Sequence, residues 1–273
     1  YAVKHFRLKA PVYMTSPVVK LSHLCCYDAV LSGAAPYDLD DVDAFMAQVN
    51  ELKYQQPLDV TLGGGKENVI VRCHASGRTL GGAVWRIFQE PSLNVLYASD
   101  VLQKAERYLD GLDLKALGKS PTLLIQDALG VSTSRAGAAT SQRVRDAQML
   151  DLLMQTLRAG GDVLVPVDSC GRALEILLLL DEKWMREMLD QSYDLVFVTR
   201  ISSVFGVASS HLEWCSRQLQ SQLDVAATGG SSAAGGGKEG MGRDPFRVSK
   251  VRVADSVESA FASARPHVVV CAD

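Results

Sequence analysis

The spacing of apolar residues changes twice along this chain, and that change constrains the fold more than any other feature. Before residue 54 the apolar positions recur every three or four residues. "SPVVKLSHLCCYDAVL" (16–31) opens on Ser16 and Pro17, a natural helix N-terminus. "DLDDVDAFMAQVNELKY" (38–54) reads as one amphipathic helix whose acidic first turn suits the positive end of the helix dipole. "APVYMT" (10–15) reads as a short strand ahead of both. After Pro57 the period becomes two. "LDVTL", "NVIVRCHA", "GAVWRIFQ" and "NVLYASD" are separated by Gly, Asn and Pro turns, as in a sandwich or meander. "PTLLIQDA" (121–128) is apolar throughout and predicts a strand buried on both faces.

From residue 141 strands and helices alternate. "SQRVRDAQMLDLLMQTLRAGG" predicts a helix with Gly160 and Gly161 past its end. "DVLVPVD" predicts a buried strand, "GRALEILLLLDEKWMREML" a helix and "YDLVFVTR" a strand. "SSHLEWCSRQLQSQL" predicts a helix capped by Ser209 or Ser210. "FRVSKVRV" and "PHVVVCAD" predict strands. Strand–helix–strand repetition implies a mostly parallel sheet with helices on its faces, so the fold class is α/β in two parts. The expected join is "GVSTSRAGAATS" (130–141), and "ATGGSSAAGGGKEGMG" (227–242) reads as a flexible surface insertion.

Composition bounds the function. With 273 residues, 47% hydrophobic and 22% charged, the chain has ample material for a core. A net charge of −3 gives no support to broad, unspecific nucleic-acid binding, though a local basic groove stays open. No apolar run approaches the ~20 residues of a membrane span; "ALEILLLLDEKW" is interrupted by charge. The first residues lack an apolar h-region and an initiator Met, so the chain is expected to be cut from a longer one. Cys25, Cys26, Cys73, Cys170, Cys215 and Cys271 include no CxxC spacing and read as reduced, buried thiols of an intracellular protein. Trp85, Trp184 and Trp214 read as packing anchors, with Trp85 also able to face a partner.

Few residues carry chemistry. In "CHASGRTLGG" (73–82) glycines flank Arg78, and "NVLYASD" ends in Asp100. A turn with one polar side chain followed by a strand ending in Asp is how many metal sites are assembled. Arginine cannot be a ligand, because its guanidinium offers donors only. Two readings stand: Arg78 pairs with Asp100 in place of a metal's charge, or Arg78 faces solvent and Asp100 caps the next segment. His74 is a displaced ligand or, more simply, a surface or core histidine. His5, His23, His211 and His267 form no HxH, HxxxH or HxxEH pair. "TLGGGKENV" (61–69) lacks phosphate-loop spacing and reads as a hairpin turn. "VDSCGR" (167–172) places Asp168 and Ser169 where a ligand could meet a helix N-terminus, and gives Cys170 no histidine partner.

"GRTLGGAVWRI", followed by "NVLYASDVLQKAERYLDGLDL" and "SPTLLIQDA", resembles the metallo-β-lactamase/β-CASP proteins of RNA 3′-end processing. In active members the first segment looks like A-G-H-x-x-G, with the His on zinc, and the second like T-G-D-F, with the Asp bridging two zincs. The matching positions here are Arg78 and Asp100, and Asp127 matches the acidic residue after the strand that opens the β-CASP insertion. "GGAVWRI", "VPVDSCGRALEILLLLDEKW" and "SSHLEWCSRQL" look like the inactive hundred-kilodalton, nuclease-like subunit type of the cleavage and polyadenylation specificity factor rather than its endonuclease.

The resemblance implies a partial αββα metallo-β-lactamase sandwich over residues 1–135 and a parallel α/β β-CASP domain over 136–273. It places the chain after the family's H-x-D-x-x-H segment and before its last His motifs. It implies no catalytic residue and no intact metal site, with Arg78, Asp100 and Asp127 as vestigial positions, and therefore no cofactor. The implied role is a pseudo-nuclease of pre-mRNA 3′-end processing in the nucleus. Implied partners are the endonuclease subunit, scaffold subunits of the symplekin type and pre-mRNA, with no membrane. Two alternatives stay open: an active zinc-dependent RNA endonuclease, or the equivalent inactive subunit of the Integrator complex.

Overall fold

A computed structural model describes residues 1–62, 67–128, 141–168, 170–221 and 246–272. The chain divides between residues 139 and 140 into two compact units, and its mixture of sheets and helices is α/β. The segments expected to be a join and a surface insertion lie almost wholly outside the described residues. Among the described residues no helix is long and apolar enough to cross a membrane.

In the first unit a short helix α1 (Ala2–Phe6) precedes strand β1 (Val12–Thr15) and helix α2 (Ser16–Leu31). Thr15, in extended conformation, is the N-cap of α2, and Pro17 occupies its first turn, where its missing N–H costs nothing. Helix α3 (Leu39–Met46) opens with a capping box. The Asp41 N–H donates to Asp38 Oδ1 at 2.8 Å, and the Asp38 N–H donates to Asp41 Oδ2 at 3.2 Å. The helix expected to run to residue 54 stops at Met46. "VNEL" instead forms β2 (Val49–Leu52), paired in parallel with β1 at Val12↔Val49, so strand pairing overrides helical spacing.

The next sheet has the order β3-β4-β5-β6-β7. Its members are β3 (Pro57–Leu62), β4 (Glu67–Ala75), β5 (Ala83–Gln89), β6 (Leu93–Ala98) and β7 (Leu123–Gln126). β3 to β6 form an antiparallel meander, and β7 joins β6 in parallel. The β3–β4 register, Leu62↔Glu67, makes "TLGGGKENV" a hairpin, although residues 63–66 lie outside those described. Val84, Leu96 and Ala98 on one face pack with Leu112 and Leu117. β7 is not buried on both faces as its composition predicts. Leu123, Leu124 and Ile125 are 51%, 51% and 45% exposed, because β7 is the last strand of the sheet and pairs only with β6.

The second unit is a parallel sheet of order β10-β9-β11-β8. Helix α4 (Gln142–Arg158) leads into β8 (Val163–Val167), then helix α5 (Arg172–Glu187) and β9 (Asp194–Val198). The last strands are β10 (Val251–Ala254) and β11 (His267–Ala272), joined through the single turn α7 (Val257–Ala260). β9 and β11 lie in the middle and are buried. β8 is an edge strand, so Leu164 is exposed where a buried strand was expected. Pro166 removes one ladder donor and suits such an edge. "FRVSKVRV" yields strand only from Val251, because Val248 N–H turns back onto the Phe246 carbonyl and Lys250 N–H donates to Asp181 Oδ1.

The helix expected to start at Ser209 or Ser210 ends there instead. Helix α6 covers Val204–Ser210, a 3₁₀ turn covers Leu212–Trp214, Cys215 is extended, and only residues 217–221 of the expected segment's described second half are helical. Ser209 and Ser210 hydroxyls donate back to the Phe205 and Val207 carbonyls, closing the C-terminus rather than opening a helix.

Of the three tryptophans, Trp184 is fully buried, with its Nε1–H donating to the Tyr193 carbonyl at 3.2 Å. Trp85 and Trp214 are half-buried, so only Trp184 anchors a core outright. Trp184→Ala should cost ~3–5 kcal/mol in urea unfolding; a curve unchanged from the parent would refute its anchoring role.

Candidate functional site

The site grows from the turn between β4 and β5. The Ser76 N–H donates to the Gly82 carbonyl at 2.9 Å, closing a turn that holds Gly77, Arg78, Thr79 and Gly81. Gly77 has φ 77°, and a Cβ there would lie 2.4 Å from the Leu102 carbonyl oxygen and 2.7 Å from the Leu112 nitrogen. Gly81 has φ 77°, and a Cβ there would lie 2.7 Å from Thr15 Oγ1. That hydroxyl donates to the Gly81 carbonyl at 2.7 Å. The turn is therefore pressed against the 102–112 loop on one side and the start of α2 on the other.

At the end of β6, Asp100 sits at φ 52°, in the left-handed region that Asp tolerates better than most residues. Its backbone N–H donates to Asp127 Oδ2, and Ser99 Oγ donates to the same oxygen at 3.3 Å. Asp127 directly follows β7, so the parallel β6–β7 pairing brings the two carboxylates together. Arg78 Nε lies 3.3 Å from Asp100 Oδ1. The structure thus assembles Arg78, Asp100 and Asp127, the three positions named from sequence.

The pair combines both readings of the sequence: it is formed, and it is half-exposed. The side chains of Arg78 and Asp100 are 41% and 50% exposed, so the carboxylate is not confined to a dry pocket. An ion pair this wet contributes about 0–1 kcal/mol. A cavity of ≈ 320 Å³ adjoins the pair, lined in part by Tyr13, Ser76, Thr79, Trp85, Ser99 and Asp100. The hydroxyls of Ser76, Thr79 and Ser99 were missed in the sequence, although two of them stand within the Arg78 turn itself.

A zinc ion is what the resemblance implies for active members, and the residues present do not suit one. Arg78 has only N–H donors to offer, which leaves the carboxylates of Asp100 and Asp127. Among the described residues no three His, Cys, Asp or Glu gather as ligands.

Of the two readings of His74, the structure gives a buried histidine. It is 5% exposed on β4, opposite Val84, and neither ring nitrogen has a hydrogen-bond partner. Burial, and then the charges of Arg72 and Arg86, push its pKa below the ordinary 6.5. The unfolded chain takes up this proton at a higher pH than the folded one. Its stabilising contribution is thus complete above about pH 6.5 and lost as pH falls toward the depressed folded value.

At the other candidate, Asp168 Oδ1 accepts the Arg172 N–H at 2.5 Å, so the carboxylate itself occupies the N-terminus of α5 where a ligand was considered. Ser169 lies outside the described residues. None of the six cysteines is in a disulfide, but only Cys73 and Cys215 are buried as expected, with thiols pushed by burial up to about 11 and about 12; Cys25 is exposed and Cys26, Cys170 and Cys271 are half-buried.

Residues 1–129 match the profile of a family described as metallo-beta-lactamase superfamily domain. The chain is 35% identical over 232 residues to cleavage and polyadenylation specificity factor subunit 2 of Arabidopsis thaliana, covering 83% of this chain and 30% of that protein. It is 30% identical over 278 residues to probable cleavage and polyadenylation specificity factor subunit 2 of Drosophila melanogaster, covering 99% and 34%. Identity to cleavage and polyadenylation specificity factor subunit 3 of Dictyostelium discoideum is 24% over 238 residues, covering 83% and 28%. The chain spans about a third of the length of these relatives.

Two predictions separate shape from charge here. Gly77→Ala should cost several times more than Arg78→Ala in urea unfolding, with the latter within about 1 kcal/mol of the parent. His74→Leu should flatten the fall in stability between about pH 7 and pH 5; an identical slope in parent and variant would remove His74 as its source.

Proposed function

We propose, from the match of residues 1–129 to the metallo-beta-lactamase superfamily domain, that the chain is part of a non-catalytic, nuclease-like subunit of the nuclear cleavage and polyadenylation machinery of pre-mRNA 3′ ends. Its role is to hold the active endonuclease subunit in place. Scaffold subunits of the symplekin type, and pre-mRNA within the assembled complex, are its other contacts.

The observation that carries this reading is the Arg78–Asp100 contact at 3.3 Å. A dinuclear hydrolase needs lone pairs around each ion to generate a nucleophilic hydroxide from water. Arg78 supplies a permanent positive charge and no lone pair. It neutralises Asp100 while leaving no acceptor at the position from which an imidazole would bind. The comparisons support the same reading: identity is 35% to the Arabidopsis subunit 2 and 24% to the Dictyostelium subunit 3.

The test uses the protein isolated from its own cells. Zinc measured by elemental analysis should be well below one ion per chain. RNA carrying a polyadenylation signal should stay intact with this protein alone and be cut when the co-purified endonuclease subunit is present. Arg78→His should raise neither zinc content nor cleavage, since one imidazole beside two carboxylates leaves the ligand set short. Stoichiometric zinc together with cleavage by the isolated subunit would overturn the proposal in favour of an active endonuclease.

A further inference from the structure

The face of the β3–β7 sheet opposite Trp85 carries a second, unrelated constellation. Arg72 on β4 lies directly across from Arg86 on β5, and like charges so placed repel. Arg86 Nε donates to Asn94 Oδ1 at 2.9 Å, and its guanidinium carbon sits 4.6 Å from the Phe88 ring centroid. Arg72 reaches the same ring at 5.6 Å. Among the described residues neither guanidinium has a carboxylate partner. Arg72 Nε is buried with no hydrogen bond, and both nitrogens of buried His74 on the same face are likewise unbonded.

Arg86 opens onto a cavity of ≈ 250 Å³ whose other walls include Leu96, Leu114, Leu117 and Leu124. Gly118 has φ 77°, and a Cβ there would come within 3.0 Å of Arg86 Nη1. A glycine at this point keeps the end of the guanidinium open. Leu114 and Leu124 at the rim are 56% and 51% exposed.

We propose that this cavity docks a protein segment that sets one carboxylate on Arg86 and lays apolar side chains on Leu114 and Leu124. The charge argument fixes the sign of the occupant. Two guanidiniums on one half-buried face, with unused donors and no described counter-charge, are compensated by an anion that fits the planar fork. The apolar rim fixes its kind. A bare inorganic anion gains nothing from leucine, whereas a chain with apolar side chains beside an acidic one covers both surfaces. Arg72 adds positive potential from behind without touching the occupant. The proposal goes beyond the functional reading above and does not depend on it.

The test uses the 273-residue chain, with three probes at fixed ionic strength. They are the capped peptide Ser-Leu-Ser-Leu-Glu-Leu-Ser-Leu-Ser, its Gln counterpart and inorganic phosphate. The Glu peptide should raise the melting temperature in proportion to its occupancy and bind roughly tenfold tighter than the Gln peptide. Arg86→Met should erase the difference between the two peptides, and Leu124→Ser should weaken both alike. Equal binding of the two peptides, or binding of neither, overturns the proposal. Stabilisation by phosphate equal to that by the Glu peptide would also overturn it, in favour of a free-anion site. Should Arg86→Met fail to fold, the Glu–Gln comparison on the parent chain decides by itself.

Discussion

The turn that carries Arg78 is held by shape before it is held by charge. Gly77 lies so close to the Leu102 carbonyl and the Leu112 nitrogen that a single added carbon has no room. The Leu102 N–H donates to the Ser76 carbonyl and the Leu112 N–H to the Leu102 carbonyl, each within 2.9 Å. The loop after β6 is thereby fastened to the turn after β4. This fastening sets where Arg78 stands relative to Asp100, and the parallel β6–β7 ladder sets where Asp127 stands relative to both. Every distance in the candidate site follows from those two constraints.

The same frame shows why an arginine is tolerated there. Two neighbouring carboxylates repel one another. Arg78 relieves that repulsion in a half-exposed setting, where the energy at stake is small in either direction. The turn is kept by its glycines, and Asp127 by the Asp100 N–H and the Ser99 hydroxyl, so neither depends on the ion pair.

Much of this was legible in the residues themselves. Period-two spacing located β3 to β6, and the alternation after residue 141 announced the parallel sheet. The pairing of Arg72 with Arg86 was legible too and went unread. A turn centred on Thr79 forces positions 73 with 85 and 72 with 86 into register. What spacing could not show was set by partners distant in sequence. "VNEL" continues a helical pattern, yet it pairs with Val12–Thr15 and becomes a strand. "TLLIQ" is apolar enough for a central strand, yet its position at the end of the sheet leaves it exposed. Ser209 and Ser210 carry the side chains of a helix start, but which way a hydroxyl bonds depends on the carbonyls already waiting behind it. In the site, Arg78 and Asp100 could be matched by resemblance, but their wetness could not, since exposure belongs to the assembled surface.

The order of strands in the second unit has a consequence for how the chain is made. β11 arrives last in sequence, yet it lies between β9 and β8. Until residues 267–272 emerge from the ribosome, β8 has no neighbour among the described strands, and one edge of β9 lacks its described partner. His267 completes the closure: its N–H and Nδ1 both meet Asp162 Oδ1, and its Nε2 meets the Ser263 hydroxyl that in turn donates to Asp194. One residue thus gathers the starts of three strands separated by some hundred positions. Nascent chains halted short of this point expose two unsatisfied apolar strand edges. The described part of the second unit is therefore open to misassociation during synthesis until residues 267–272 are inserted.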